Sequence, residues 1–259
     1  LASYESERRP VHQRVIDEAV ANHATLALHL VKPELEADTA EGAALRQDVR
    51  LAVFEDIAPA VLAPLLTYAA SHAPQLVLAP QVMGFEALIE ALRRGQADLA
   101  LTWDLGLQTD MARQVLAQVA PHVVLAPDHP LADKPRILLR DLTDLPLILA
   151  DQGLSLGHMR GLFAQRGLTP QIRHRTASLD LMRSYAANGL GVGMSYSNPA
   201  PRQSHDGKPL LTRPLSDGGA EPIVLAHLAQ NPLSEGAVTL AELMPLALHF
   251  LIPKADDAD

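Results

Sequence analysis

A layered α/β fold is predicted by three features of the sequence. The chain has 259 residues and is 48% hydrophobic but only 3% aromatic, so Leu, Ala, Val and Ile must fill its core, which suits helices packed on sheets. Almost continuously apolar runs recur from residue 49 onward, separated by stretches of helical period, the pattern of strands buried on both faces beneath right-handed crossovers. A soluble chain of this length buries roughly 70 to 75% of its unfolded surface, enough for one large domain or two small lobes.

The elements follow in order. Residues 11–31 place Val11, Val15, Ile16, Ala19 and Val20, then Leu26 and Leu30, at helical spacing, and Pro33 ends that helix. The acidic, Ala-rich KPELEADTAEGAALRQD after it has little to bury and reads as a solvated connector or a marginal helix. VRLAVF (49–54) is a strand, PAVLAPLLTYAASH (59–72) a helix, QLVLAP (75–80) a strand, GFEALIEALRRG (84–95) a helix and ADLALTW (97–103) a strand. Two strands are expected within 113–130, and a second series begins with PLILA (146–150), HMRGLFAQRG (158–167) as a helix and QIRHRTA (171–177) as a strand. SLDLMRSYAANG (178–189) is a helix with Ser178 as its N-cap and Gly189 in the left-handed C-cap position. LGVGMSY (190–196), LLTRPL, EPIVLAHLA (221–229) and a closing helix at 233–250 complete two similar lobes. Ligands of such sheets sit at the carboxyl ends of the strands.

Charge and composition exclude several functions. The formal net charge of -9 offers no basic excess for a phosphate backbone. The absence of cysteine removes disulfides, thiolate nucleophiles and Cys-based metal sites, and agrees with a reducing cytoplasm, the expected location. No apolar run reaches the roughly 18 residues of a membrane span, and no basic-then-apolar leader opens the chain. Its eleven His form no HExxH motif or compact ligand cluster, so no metal and no cofactor is expected, and His72, His122, His129 and His205 read as turn or surface residues.

Two glycine motifs invite chemistry. GLSLG (153–157) matches the nucleophile elbow G-x-S-x-G between a strand and a helix, with Asp180 or Asp206 and His205 or His227 as nominal partners of Ser155. No oxyanion motif accompanies it, and two glycines around a serine equally make a strand-to-helix turn in which Ser155 or Gly157 helps to cap the helix. GLGVG (189–193) lies between a helix and a strand, the reverse of a dinucleotide fingerprint, so its glycines serve the C-cap and close strand packing. Trp103, the only tryptophan, ends a strand and either stacks on an aromatic ligand or plugs the core.

The runs RLAVFEDIAPAVLAPLLTYAASHAPQLVLAP, EALIEALRRGQADLALTWD, VVLAPDHPLADKP with LRDLTDLPLILA, and TASLDLMRSYAANGLGVGMSY, in this order over residues 49–250, resemble the effector-binding domain of LysR-type transcriptional regulators. The resemblance implies two Rossmann-like lobes of the type 2 periplasmic-binding-protein kind, one of 49–122 plus 221–250 and one of 123–220, with 251–259 a disordered tail. It implies a non-enzymatic sensor whose small-molecule effector sits in the interlobe cleft, and a homodimer formed through helix 59–72, whose apolar residues spread almost all round it. DNA would be reached only through a helix-turn-helix domain, which residues 1–48 do not carry.

By that map the effector meets Glu55, Asp56, Ile57, Val82, Met83, Thr102, Trp103, Ser178, Ser195 and Tyr196. Helix N-termini at 57–59, 82–84 and Ser178 would direct free N–H groups into the cleft and suit a polar or anionic guest. Regulators of this kind often carry Ser or Thr at the first turn; Glu55 and Asp56 stand there instead and oppose an anion, unless Ser178, Thr102 or Tyr196 holds it.

LASYESERRPVHQRVIDEA and ADTAEGAALRQDV, within residues 1–48, are similar to the end of the FAD-binding region of aromatic-ring flavoprotein monooxygenases. The GxGxxG and Gly-Asp motifs that hold FAD in that family are absent from this sequence, so flavin binding does not carry over. The expectation is a junction between a hydroxylase fragment and a regulator domain, the alternative being a degenerate linker helix; the hydroxylase likeness makes an aromatic metabolite the expected effector. The rival functions are a bilobal solute-binding protein, a fragment of a flavoprotein hydroxylase and a hydrolase using Ser155.

Overall fold

The computed structural model describes residues 46–199 and 201–249, so the N-terminal helix, the C-terminal tail and the connector up to Leu45 expected from the sequence lie outside the described residues, while Gln47 and Asp48, expected in the connector, belong to the first strand. The first lobe opens with β1 (Gln47–Phe54), α1 (Ala58–His72), β2 (Leu76–Met83), α2 (Phe85–Arg93), β3 (Leu99–Trp103) and β4 (Met111–Val119). The chain then crosses to the second lobe for β5 (His122–Leu125), a single 3-10 turn (Leu139–Leu142), β6 (Pro146–Ala150), α3 (Leu154–Ala164), β7 (Gln171–Thr176), α4 (Leu179–Ala187), β8 (Val192–Ser195) and β9 (Leu211–Pro214). It returns with β10 (Glu221–Leu228) and α5 (Glu235–His249).

Each lobe holds one five-stranded sheet, in the orders β2-β1-β3-β10-β4 and β7-β6-β8-β5-β9. Crossover helices make β2, β1 and β3 parallel, and likewise β7, β6 and β8. The sheets are nevertheless mixed rather than purely parallel: β10 runs antiparallel between β3 and β4, and β5 antiparallel between β8 and β9. Those two strands follow the passages between lobes, and a strand that enters its sheet from the other lobe does not keep the sense that a helical crossover imposes.

The apolar strand runs are buried as their composition requires. Leu51, Ala52, Val53 and Phe54 of β1 and every residue of β3 are sealed from solvent, because helices cover both faces of the sheet. Phe85, the first residue of α2, meets Phe54 edge-on with ring centroids 6.4 Å apart. Among the described residues no helix is long and apolar enough to cross a membrane.

Three local expectations are corrected. Strand β2 runs on to Met83 instead of stopping at Pro80, so Val82 and Met83 belong to a strand and Gly84 is the N-cap of α2. Gln75 and Met83 turn their carbonyls toward β1, and alternation therefore points Pro80, which lacks an N–H, at the free edge, where no ladder bond is lost. Helix α3 begins at Leu154, four residues before the expected His158, with Gly153 at φ 57° as its N-cap, so Ser155 and Gly157 lie inside the helix rather than capping it. His122, expected at the surface, is buried on β5, an inner strand, with its pKa pushed down to about 3 chiefly by that burial.

Gly191 is a steric requirement. Its φ is 154°, and a Cβ there would stand 2.2 Å from the carbonyl oxygen of Pro146 on the neighbouring strand. Gly191→Ala is expected to destabilise the fold by about 3 kcal/mol through backbone strain and overpacking. Chemical denaturation of the purified variant reads that loss directly.

Candidate functional site

The carboxyl ends of β1, β3, β6 and β8 face one another across the two lobes and leave a cleft of about 430 Å³, open mouth included. Asp56 follows β1, Trp103 ends β3, Ser195 ends β8, and Tyr196 and Ser197 come directly after it; Ser155, His158 and Met159 of α3 complete the wall with Met194, Ala150 and Leu105. Helical spacing explains the α3 contribution, since residues three and four apart share one face.

An acidic corner joins the lobes. Gln152 Nε2, at the turn before α3, donates to Glu55 Oε1 across the cleft at 2.9 Å. Burial, with the charges of Glu55 and Asp180, pushes the Asp56 carboxyl up to about 6, the nearby Gln152 amide opposing that shift. The Gln152 side-chain oxygen, Oε1, is buried without a partner among the described residues. Ser197 Oγ donates to the Asp56 backbone carbonyl at 3.4 Å, a second contact between lobes.

The opposite wall is aromatic. His158 Nε2 lies 3.1 Å from the Tyr196 hydroxyl and 3.4 Å from Glu221 Oε1 at the start of β10, again bridging the lobes. Burial raises the Glu221 carboxyl, His158 opposing it, and burial with the Glu221 charge raises the Tyr196 phenol, which therefore stays protonated. Trp103 stands 5.6 Å from Tyr196 with their planes inclined at 47°.

Of the residues expected from the sequence, Asp56, Trp103, Ser195 and Tyr196 line the cleft together, with Glu55 adjoining through Gln152. The other five lie apart from its lining. Ile57 is buried at the start of α1, Thr102 is fully buried in β3 with its hydroxyl unpartnered, and Val82 on the edge strand is 53% exposed, with Met83 beside it. Ser178 spends its hydroxyl on the cap of α4, accepting from Leu181 N at 3.2 Å. Trp103 is both wall and core, being only 6% exposed. The residues sequence reasoning missed are Gln152, His158, Met159 and Glu221; a helix begun at Gly153 would have put Ser155, His158 and Met159 on one face.

Ser155 is not arranged as a nucleophile. Its hydroxyl donates to the Gln152 carbonyl at 2.9 Å. Asp206 is engaged by Ser204 and Asn188, His205 sits exposed in that turn, and His227 bonds the Leu228 carbonyl. Among the described residues no group of three or more His, Cys, Asp or Glu could hold a metal ion.

The Asp56 carboxyl has a measurable consequence. Its folded pKa is about 6 against 3.8 for the free group, so the folded state binds the proton more tightly and ionisation opposes folding above pH 6 by about 3 kcal/mol. The penalty shrinks as pH falls through 6 and is gone below the unfolded pKa. Asp56→Asn is therefore expected to exceed the parent in stability at pH 8 and to match it near pH 4, as read by urea denaturation across that range.

Comparison with known proteins agrees with this architecture. Residues 42–245 match the LysR substrate binding domain. The chain is 31% identical over 167 residues to a probable hydrogen peroxide-inducible genes activator of Mycobacterium avium, covering 61% of this chain and 51% of that protein. The corresponding protein of Mycobacterium leprae is 30% identical over 184 residues, covering 70% and 59%. The chain thus spans little more than half the length of these curated relatives. Among solved structures, HinK, a LysR family transcriptional regulator from Pseudomonas aeruginosa, superposes with a TM-score of 0.75 at 22% identity, over 95% of this chain and 80% of that one. The effector binding domain of QuiR in complex with shikimate gives 0.66 at 18% identity, over 80% and 97%. With two mixed sheets facing each other across a cleft and a family match across most of its length, the chain belongs to the LysR substrate-binding domain family.

Proposed function

We propose that this chain is the effector-sensing domain of a cytoplasmic LysR-type transcriptional regulator, and that a small molecule held between the lobes alters their relation and, through a DNA-binding segment of the complete protein, the occupancy of its operator. The observation that carries this reading is the cleft itself. Gln152 with Glu55, His158 with Glu221 and Ser197 with Asp56 already join groups from opposite lobes around it, so an occupant touching either wall changes what holds the lobes together.

The domain works as a homodimer in this reading, paired through the helix at 59–72. Pro59, Ala60, Ala63 and Leu66 form an outward face on α1, and the neighbouring edge strand adds Val82. A closed pairing of copies would cover these apolar groups.

The single tryptophan makes sensing measurable. In a screen of aromatic acids, phenols, amines and amino acids, a true effector is expected to change Trp103 emission saturably and to stabilise the fold by about 2.7 kcal/mol at 100 times its dissociation constant. Trp103→Phe should abolish the optical signal. A panel without a saturable response by either readout would count against the sensor reading. For the dimer, Leu66→Glu is expected to sediment as a monomer at concentrations where the parent is dimeric, and a parent monomeric at high micromolar concentration would refute that pairing.

A further inference from the structure

We infer that the cleft is built for a small organic cation, a protonated amine carried on an aromatic or apolar body, and not for a carboxylate. This rests on the reading of the cleft as the effector site and specifies its ligand class.

The positions that would receive an anion are already served by the chain's own acids. Helix N-termini attract negative charge because their first N–H groups lack partners. Glu55 and Asp56 directly precede α1, Glu86 stands in the first turn of α2, and Asp180 stands in the first turn of α4, close enough to act on Asp56. Helix α3 has no acid of its own in its first turn, but the Glu86 carboxylate comes across to it: both oxygens lie 2.8 Å from where a Cβ on its N-cap, Gly153, would stand.

Among the described residues no Lys or Arg lines the cleft to offset these charges. The basic group that does, His158, is engaged by Tyr196 and Glu221. A second carboxylate entering here would be an uncompensated like charge, whereas an ammonium would neutralise one.

Hydrogen bonding points the same way. Gln152, 7% exposed and reaching into the acidic corner to Glu55, has a side-chain oxygen, Oε1, with no donor among the described residues. An ammonium N–H can satisfy that oxygen; a carboxylate, having only acceptors, cannot. Trp103 and Tyr196 supply inclined aromatic faces, with Met159 and Met194 beside them, to receive the body of the ligand and to add cation–π attraction.

The test uses three probes that share a body and differ at one group: 2-(4-hydroxyphenyl)ethylamine, 2-(4-hydroxyphenyl)ethanol and 4-hydroxyphenylacetate. Their affinities for the full chain would be measured by calorimetry at pH 7.5. The amine is expected to bind at least tenfold more tightly than the alcohol, and the acid most weakly. Asp56→Asn should remove the amine's advantage while leaving the alcohol's affinity within about twofold. Tighter binding of the acid, equal binding of all three, or an amine preference that survives Asp56→Asn overturns the cation inference and leaves sensing in place. Failure of all three probes at millimolar concentration also overturns it, while the sensor reading stands or falls separately on the wider screen and its Trp103 response.

Discussion

Strand β10 inserts antiparallel between β3 and β4, and β5 does the same between β8 and β9; this double insertion is the constraint on which the cleft depends. Two residues separate β4 from β5, and a short turn separates β9 from β10. The lobes are therefore tied at two points and cannot drift independently, although short connections of this kind can act as a hinge. The parallel strands on either side end facing one another, so groups distant in sequence, such as Glu55 and Gln152, meet at one place.

The price of that meeting is electrostatic. The charges of Glu55 and Asp180 act on Asp56 at a partly buried corner, and a carboxyl whose burial opposes folding at neutral pH is not placed there for stability. The opposing wall distributes its charge differently: His158 lies between the Tyr196 hydroxyl and the Glu221 carboxylate, so each polar group there has a neighbour. The cleft thus has one satisfied wall and one with an unmet acceptor, an asymmetry that orients whatever enters.

Much of the fold was legible because its strands are nearly uninterrupted apolar runs and its helices begin and end at recognisable signals. Ser178 caps α4, and Gly189, at φ 73°, follows its end. The failures were local and physical. Pro80 looked like a strand terminus but lies on an edge, where a missing N–H is harmless. Gly153 and Gly157 around Ser155 looked like a strand-to-helix turn and hid the first turn of α3, and with it the face that Ser155 shares with His158 and Met159. The partnership of His158 with Glu221 joins α3 to the start of β10, a relation created by the second passage between lobes and by no periodicity in the sequence. Asp56 and Trp103 were accessible to sequence reasoning because residues just beyond strand ends face the ligand side of such sheets.

The outward-facing Pro80 has a further consequence for any strand that meets this edge. A strand laid against the outer side of β2 would find one rung of the hydrogen-bonding ladder empty at its centre. Open-ended stacking of sheets, the route to fibres, is discouraged at the edge that carries the exposed Val82. The pairing proposed through helix α1 needs no backbone hydrogen bonds and so does not depend on that edge.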